Sequence, residues 1–188
     1  MKRSLVLLVS LLCACGTSPP TQFYTLDAAS GTPAATSASP AYSAVIGPVS
    51  VPDIVDRPQL VLRTGANQVE VVEVARWAEP LRDAIPRVVA AGVQKRVPNA
   101  RITALTPTLA AAADYRVAIA FERLEAAPGD SVNVEAVWTI ALKDTSRTGR
   151  TVAREPCGRA YADIAAAYSR ALDRVSADVA AALSSARQ

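Results

Sequence analysis

The sequence contains no histidine. That absence removes the commonest general base and the commonest nitrogen ligand for metals, and it weighs against most hydrolases. Cysteine is nearly as scarce. Of three cysteines, two stand at positions 13 and 15 and only Cys157 lies in the body of the chain. Neither a cysteine–histidine pair nor a multi-thiolate zinc site can be assembled from them. A glycine-rich phosphate loop of the G-x-x-x-x-G-K-[ST] type is missing, so any ATP hydrolysis belongs to a partner. The N-terminal apolar tract, residues 5–14, has ten residues, where a membrane-spanning helix needs roughly twenty. No metal, cofactor or catalytic residue is expected. The carboxylate pairs Glu70 with Glu73, and Asp53 with Asp56, read as solvated surface, because acid–base work needs a convergent geometry that their spacing does not indicate.

What is present begins with an export address. Met1-Lys2-Arg3 precedes the apolar tract, and small residues close it at Cys13-Ala14-Cys15, the basic, apolar and small-residue regions of a secretory signal. Leu12-Cys13-Ala14-Cys15 resembles the lipobox of bacterial lipoproteins, in which an aliphatic and two small residues precede a cysteine that is acylated before cleavage. This makes residues 1–14 a removable signal and Cys15 the lipid-bearing mature end. The cleavage pattern also fits an ordinary signal peptide that leaves Cys15 as a plain thiol. Several acyl chains on one cysteine hold a protein firmly, at about 0.8 kcal/mol per buried methylene. Gly16-Thr17 lacks the aspartate that commonly retains lipoproteins in the inner membrane, so the outer membrane is favoured.

With fourteen of the 188 residues removed, the remaining chain, 15–188, is long enough for one compact domain that buries roughly 70% of its unfolded surface. Losing Lys2 and Arg3 takes the net charge from +3 to +1, which leaves no global field to attract nucleic acid. With Cys13 gone and Cys15 acylated, Cys157 has no partner in the chain. It reads as a small, partly buried thiol, or else as half of an intermolecular bridge.

The patterning predicts an α/β (α+β) fold: a single largely antiparallel or mixed sheet with two amphipathic helices packed on one face. Residues 23–26 form a short aromatic and β-branched run. The stretch 28–41, drawn only from Ala, Ser, Thr, Gly and Pro, is expected to be a flexible loop. Residues 44–51, interrupted by Gly47-Pro48, and residues 59–63 read as strands. So does 69–74, where the adjacent Val71 and Val72 point to a break in phase or a bulge. Apolar residues at helical spacing mark a helix within 77–98. Its start falls near Asp83 as N-cap, or else it kinks at Pro86. Strict alternation over 115–121 and 132–142, separated by Pro128-Gly129-Asp130, predicts an antiparallel hairpin. A final helix carries Tyr161, Ile164, Tyr168, Leu172, Val175, Val179 and Leu183 on one stripe. That stripe suits packing on the chain's own sheet, a commoner use than a coiled-coil seam to another subunit.

Certain segments carry a resemblance: Phe23-Tyr24-Thr25-Leu26, Ile46-Gly47-Pro48-Val49-Ser50-Val51-Pro52, Asp56-Arg57-Pro58-Gln59-Leu60-Val61-Leu62-Arg63, Arg76-Trp77-Ala78-Glu79-Pro80-Leu81, Glu155-Pro156, and Tyr168-Ser169-Arg170-Ala171-Leu172. In order and spacing they resemble the PqiC (YmbA-like) lipoproteins, auxiliary components of transport systems. Ile54-Val55 departs from the aromatic–leucine pair expected there, and Pro86 interrupts the first helix.

The resemblance implies a homo-oligomeric ring of outer-membrane lipoproteins facing the periplasm. The ring would dock onto an MCE-domain (PqiB-like) periplasmic protein and its inner-membrane partners, to move phospholipids or related lipids. The alternatives are a stand-alone envelope-assembly lipoprotein and, with less behind it, a periplasmic enzyme acting on carbohydrate or peptidoglycan. Arg57 and Arg63 are candidates for forked contacts to carboxylate or phosphate. Trp77 could anchor a partner, although filling space beside the first helix is its plainer use.

Overall fold

The computed structural model describes residues 19–28, 40–106, 113–142 and 145–186. The signal segment 1–14, Cys15, the sorting residues 16–17 and nearly all of the expected loop 28–41 lie outside the described residues. Within them the chain forms, in order, β1 (Gln22–Tyr24), β2 (Tyr42–Ser50), β3 (Gln59–Gly65), β4 (Gln68–Trp77), α1 (Leu81–Arg96), β5 (Ala100–Ala104), β6 (Tyr115–Ala127), β7 (Ser131–Leu142), β8 (Thr145–Pro156) and α2 (Tyr161–Ser185). The eight strands make one mixed sheet.

Its centre is the hairpin that alternation predicts. Tyr115, Val117, Ile119 and Phe121 of β6 are buried, as are Val132, Val134, Ala136, Trp138 and Ile140 of β7. The strands pair antiparallel from Arg116↔Ala141 to Ala127↔Ser131. Gly129 closes the turn with φ +77°, a conformation open to glycine at little cost, and Asp130 N–H donates to the Ala127 carbonyl at 3.1 Å. A register shift between Phe121 and Arg123 reverses the phase, so that Leu124 and Ala126 turn inward after it.

The other edge of β6 forks. Along its first half it pairs in parallel with β2, from Ala44↔Tyr115 to Ser50↔Ala120. Near its end it pairs in parallel with β3, at Leu62↔Ala126. Parallel β5 extends the β2 branch. Antiparallel β4 and then parallel β1 extend the β3 branch. Residues 51–58 leave the sheet between the two branches, with Val55 buried as an anchor. Gly47-Pro48 does not end β2. It sits at a register shift between Ile46 and Val49, where Gly47 has φ +132° and a Cβ would stand 2.8 Å from Leu105 Cβ.

Two expectations need correction. The phase break in β4 does not fall at Val71 and Val72, which pair regularly with Val61 and Leu60. It falls after Val72, since Gln59 faces Arg76, and it brings Ala75 and Trp77 to the core. Nor does α1 start with Asp83 as cap: its N-cap is Pro80, whose carbonyl accepts the N–H groups of Asp83 and Ala84 at 3.0 Å. Asp83 instead occupies the first turn, where a carboxylate meets the positive end of the helix dipole. Pro86 therefore stands inside the helix and leaves the Arg82 carbonyl without its i+4 donor.

On α2, Ile164, Tyr168, Leu172, Val175, Val179 and Leu183 are all buried. Burying each such aliphatic side chain contributes about 1.5–3 kcal/mol. The helix lies on β7 and β8, α1 lies on β2 and β5, and the two helices touch. The stripe thus covers the chain's own sheet. Arg96 braces the helix pair with forked bonds to Asp173 at 2.9 and 2.8 Å.

Candidate functional site

The backbone brings three of the segments singled out in the sequence together. Trp77 N–H donates to the Pro58 carbonyl at 2.6 Å, and Ala78 N–H donates to the Tyr24 carbonyl at 2.8 Å. Residues 56–58, 76–81 and 23–26 therefore meet. Tyr24 stands edge-on to Tyr161, ring centroids 6.2 Å apart, and Trp77 edge-on to Tyr168 at 5.7 Å. Asp27 N–H donates to Ser169 Oγ at 3.1 Å, which ties the N-terminal segment to α2.

Between the 51–58 excursion and the start of α1 lies a groove of about 450 Å³, lined by Asp56, Arg57, Pro58, Trp77, Ala78, Glu79, Pro80 and Arg82. The walls owe their shape to proline and to two ion pairs. Pro52 O accepts from Val55 N–H at 3.0 Å and Val55 O from Arg57 N–H at 2.8 Å, a tight double turn that raises Arg57 to the rim. Arg82 Nε donates to Asp56 Oδ1 at 3.1 Å across the groove. Glu79, also in the lining, pairs with Arg87. A second hollow, about 520 Å³, opens beside it against α2, with Phe23, Ala162, Ala166 and Arg170 in its lining. Phe23 is 66% exposed there.

The two arginines proposed for anion contacts have different fates. Arg63 is spent within the fold. Its Nε donates to Glu125 Oε2 at 3.0 Å and its Nη1 to the Ala66 carbonyl at 3.0 Å, and the Glu125 hydrogen bond holds its guanidinium above even its ordinary range. Arg57 is exposed and its guanidinium has no partner among the described residues. Trp77 is only 6% exposed, so it fills space beside Tyr168 while it lines the groove. Burial pushes the Tyr168 phenol well above the usual tyrosine range, with smaller contributions from the charges of Glu125 and Cys157. Cys157 is half-buried and its thiol donates to the Ala127 carbonyl at 3.3 Å.

The carboxylates set aside as surface do not converge. Asp56 is paired with Arg82, Glu73 with Arg76, and Glu70 and Asp53 are exposed. Among the described residues no group of three or more His, Cys, Asp or Glu could hold a metal ion, and no helix is long and apolar enough to cross a membrane. The groove and its two ion pairs went unseen in the sequence, because Arg82 and Asp56 lie 26 positions apart. The segments carrying the resemblance were the one available signal.

Fold and groove together define a mixed-sheet α/β domain with a recessed, partly apolar surface. The chain belongs to the family of ABC-type transport auxiliary lipoprotein components, whose model matches residues 24–180. This is the family that the motifs resemble, and it gives the chain a role in transport systems as a lipoprotein of the cell envelope. No curated protein matches the sequence. Among solved structures, the crystal structure of an uncharacterized protein superposes with a TM-score of 0.72 at 14% identity, covering 88% of this chain and 99% of the other. A DUF330 protein from Xanthomonas campestris gives 0.58 at 20% identity, covering 85% and 91%. Both share the fold.

Proposed function

We propose that the chain is the lipid-anchored periplasmic subunit of an MCE-type intermembrane transport system for phospholipids. It docks the conduit to the outer membrane and supports membrane integrity. The observation that carries this reading is the family match over nearly the whole domain. Acylated Cys15 tethers the domain to the membrane, Gly16-Thr17 releases it to the outer one, and a ring of copies seats the end of the conduit. The subunit does no chemistry. It has no nucleotide-binding loop and no histidine, and its work is to hold a partner in place while energy is supplied at the inner membrane.

Affinity purification of the tagged full chain from detergent-solubilised envelopes tests the reading. An MCE-domain protein should be recovered with it. Recovery of the chain without such a partner, under conditions that preserve other envelope complexes, overturns the reading.

A further inference from the structure

Resting on that transport reading, we propose that the groove between the 51–58 excursion and the start of α1 is the partner-docking site. It takes an extended polypeptide segment in which an aspartate or glutamate stands next to an apolar residue. Four charged side chains line the groove, and Asp56 and Arg82 cancel each other across it. Arg87 neutralises Glu79 from the neighbouring turn of α1. Arg57 is what remains: an exposed guanidinium with no partner among the described residues, held at the rim by the turn that Pro52 and Val55 close. An unpaired guanidinium beside an apolar floor is a receptor for a carboxylate, which it grips through a planar fork of N–H donors.

The floor supplies the second half of the recognition. Pro58, Pro80 and Trp77 line the groove, and none of the three offers a free backbone donor: the prolines have none, and Trp77 N–H is bound to Pro58. Such a surface favours an apolar side chain over a polar one. The volume of about 450 Å³ falls within the roughly 300–1,000 Å³ typical of binding pockets and suits a short stretch of extended chain.

The charge pattern also separates a polypeptide from a lipid surface. Anionic membranes are read by clusters of four to eight basic residues, each contributing about 1 kcal/mol. Among the described residues that line the groove one cation is free, and the other charges are paired in both signs, as in the mixed rim of a protein interface.

The test uses the full lipoprotein in living cells, with a photoreactive benzoylphenylalanine placed at position 78, an exposed alanine in the groove. Irradiation should give an adduct whose mapped peptide belongs to a periplasmic transport protein and carries Asp or Glu within a few residues of the cross-link. The adduct should fall roughly tenfold or more with Arg57→Ala or Arg57→Glu. It should survive in part with Arg57→Lys and stay unchanged with Val152→Ser, on the far edge strand. Arg57 is exposed, so these variants fold, and their unfolding curves verify it. Absence of an adduct, an adduct with lipid or with a second copy of the chain, or one indifferent to Arg57 overturns the proposal. An Arg57-dependent adduct with the acidic segment of a protein lacking an MCE domain retains the groove and overturns the transport reading. An MCE partner that co-purifies while the adduct ignores Arg57 does the reverse.

Discussion

Replacing Gly92 by alanine pits helix propensity against packing, and the sign of the outcome reports on the crossing of the two helices. In an open helix the substitution stabilises by about 1 kcal/mol, because glycine has more backbone freedom to lose. Here Gly92 lies in the interface between α1 and α2. A Cβ would stand 2.5 Å from Ser176 Oγ and 2.7 Å from Ser176 Cβ. Rotating the hydroxyl cannot relieve the second contact, since Cβ moves only with the backbone of α2. The hydroxyl is itself held, donating to the Leu172 carbonyl at 2.9 Å. Overpacking of this kind costs about 1–3 kcal/mol, and the ion pair between Arg96 and Asp173 resists the separation of the helices. The expected net effect is a loss of up to about 2 kcal/mol, read as a lower urea midpoint at unchanged slope, or about 2–4 °C in Tm per kcal/mol. Ser176→Gly removes both contacts, so the double variant should show a favourable coupling of about 1 kcal/mol or more. An increase in stability on Gly92→Ala, or strict additivity of the pair, refutes the close crossing. The start of α1 lines the groove, so a displaced crossing should also reposition Arg82.

Thr151→Val keeps the shape of a buried side chain and deletes a hydroxyl that accepts from Trp138 Nε1 at 3.1 Å and donates to Asp178 at 2.6 Å. Leaving the indole N–H unsatisfied should cost about 1–3 kcal/mol by urea unfolding, despite valine's better fit to a strand; an unchanged midpoint contradicts the network. For Tyr168, whose phenol is raised in the folded state by burial first, the stability it contributes is fully present below the unfolded value of about 10 and is lost as pH rises above it. The stability of Tyr168→Phe should therefore fall less steeply between about pH 9 and 11 than that of the parent chain, and parallel curves count against the buried phenol. Cys15→Ala should abolish both signal cleavage and incorporation of a fatty-acid probe, whereas normal labelling removes the proposed anchor.

How much of this was legible depends on whether burial left a period in the sequence. The hairpin of β6 and β7 was readable because one sheet face is buried and the other is not, and α2 because its stripe is unbroken. In β6 the alternation is legible only as far as Phe121, since the bulge that follows shifts it and disguises Leu124 and Ala126 as a new phase. β8 left no apolar signal. Its inward positions are Gly149, Thr151, Ala153 and Glu155; a side chain at Gly149 would collide with Trp138, and Glu155 is satisfied by Arg170 and Arg174. That strand exists because β7 offers it a ladder. β5 is too short to show a period. At the candidate site the sequence supplied the residues without their arrangement. Nothing in the local pattern distinguishes Arg57, which has no partner among the described residues, from Arg63, which Glu125 captures from 62 positions away.

Intact-mass analysis of the complex purified from native membranes tests the lipid anchor and the seating of the subunit in a transport assembly at once. The expected spectrum contains a chain that begins at Cys15, carries the added mass of acyl groups, and travels with an MCE-domain protein. A full-length or unacylated chain, free of any MCE-domain partner, contradicts it.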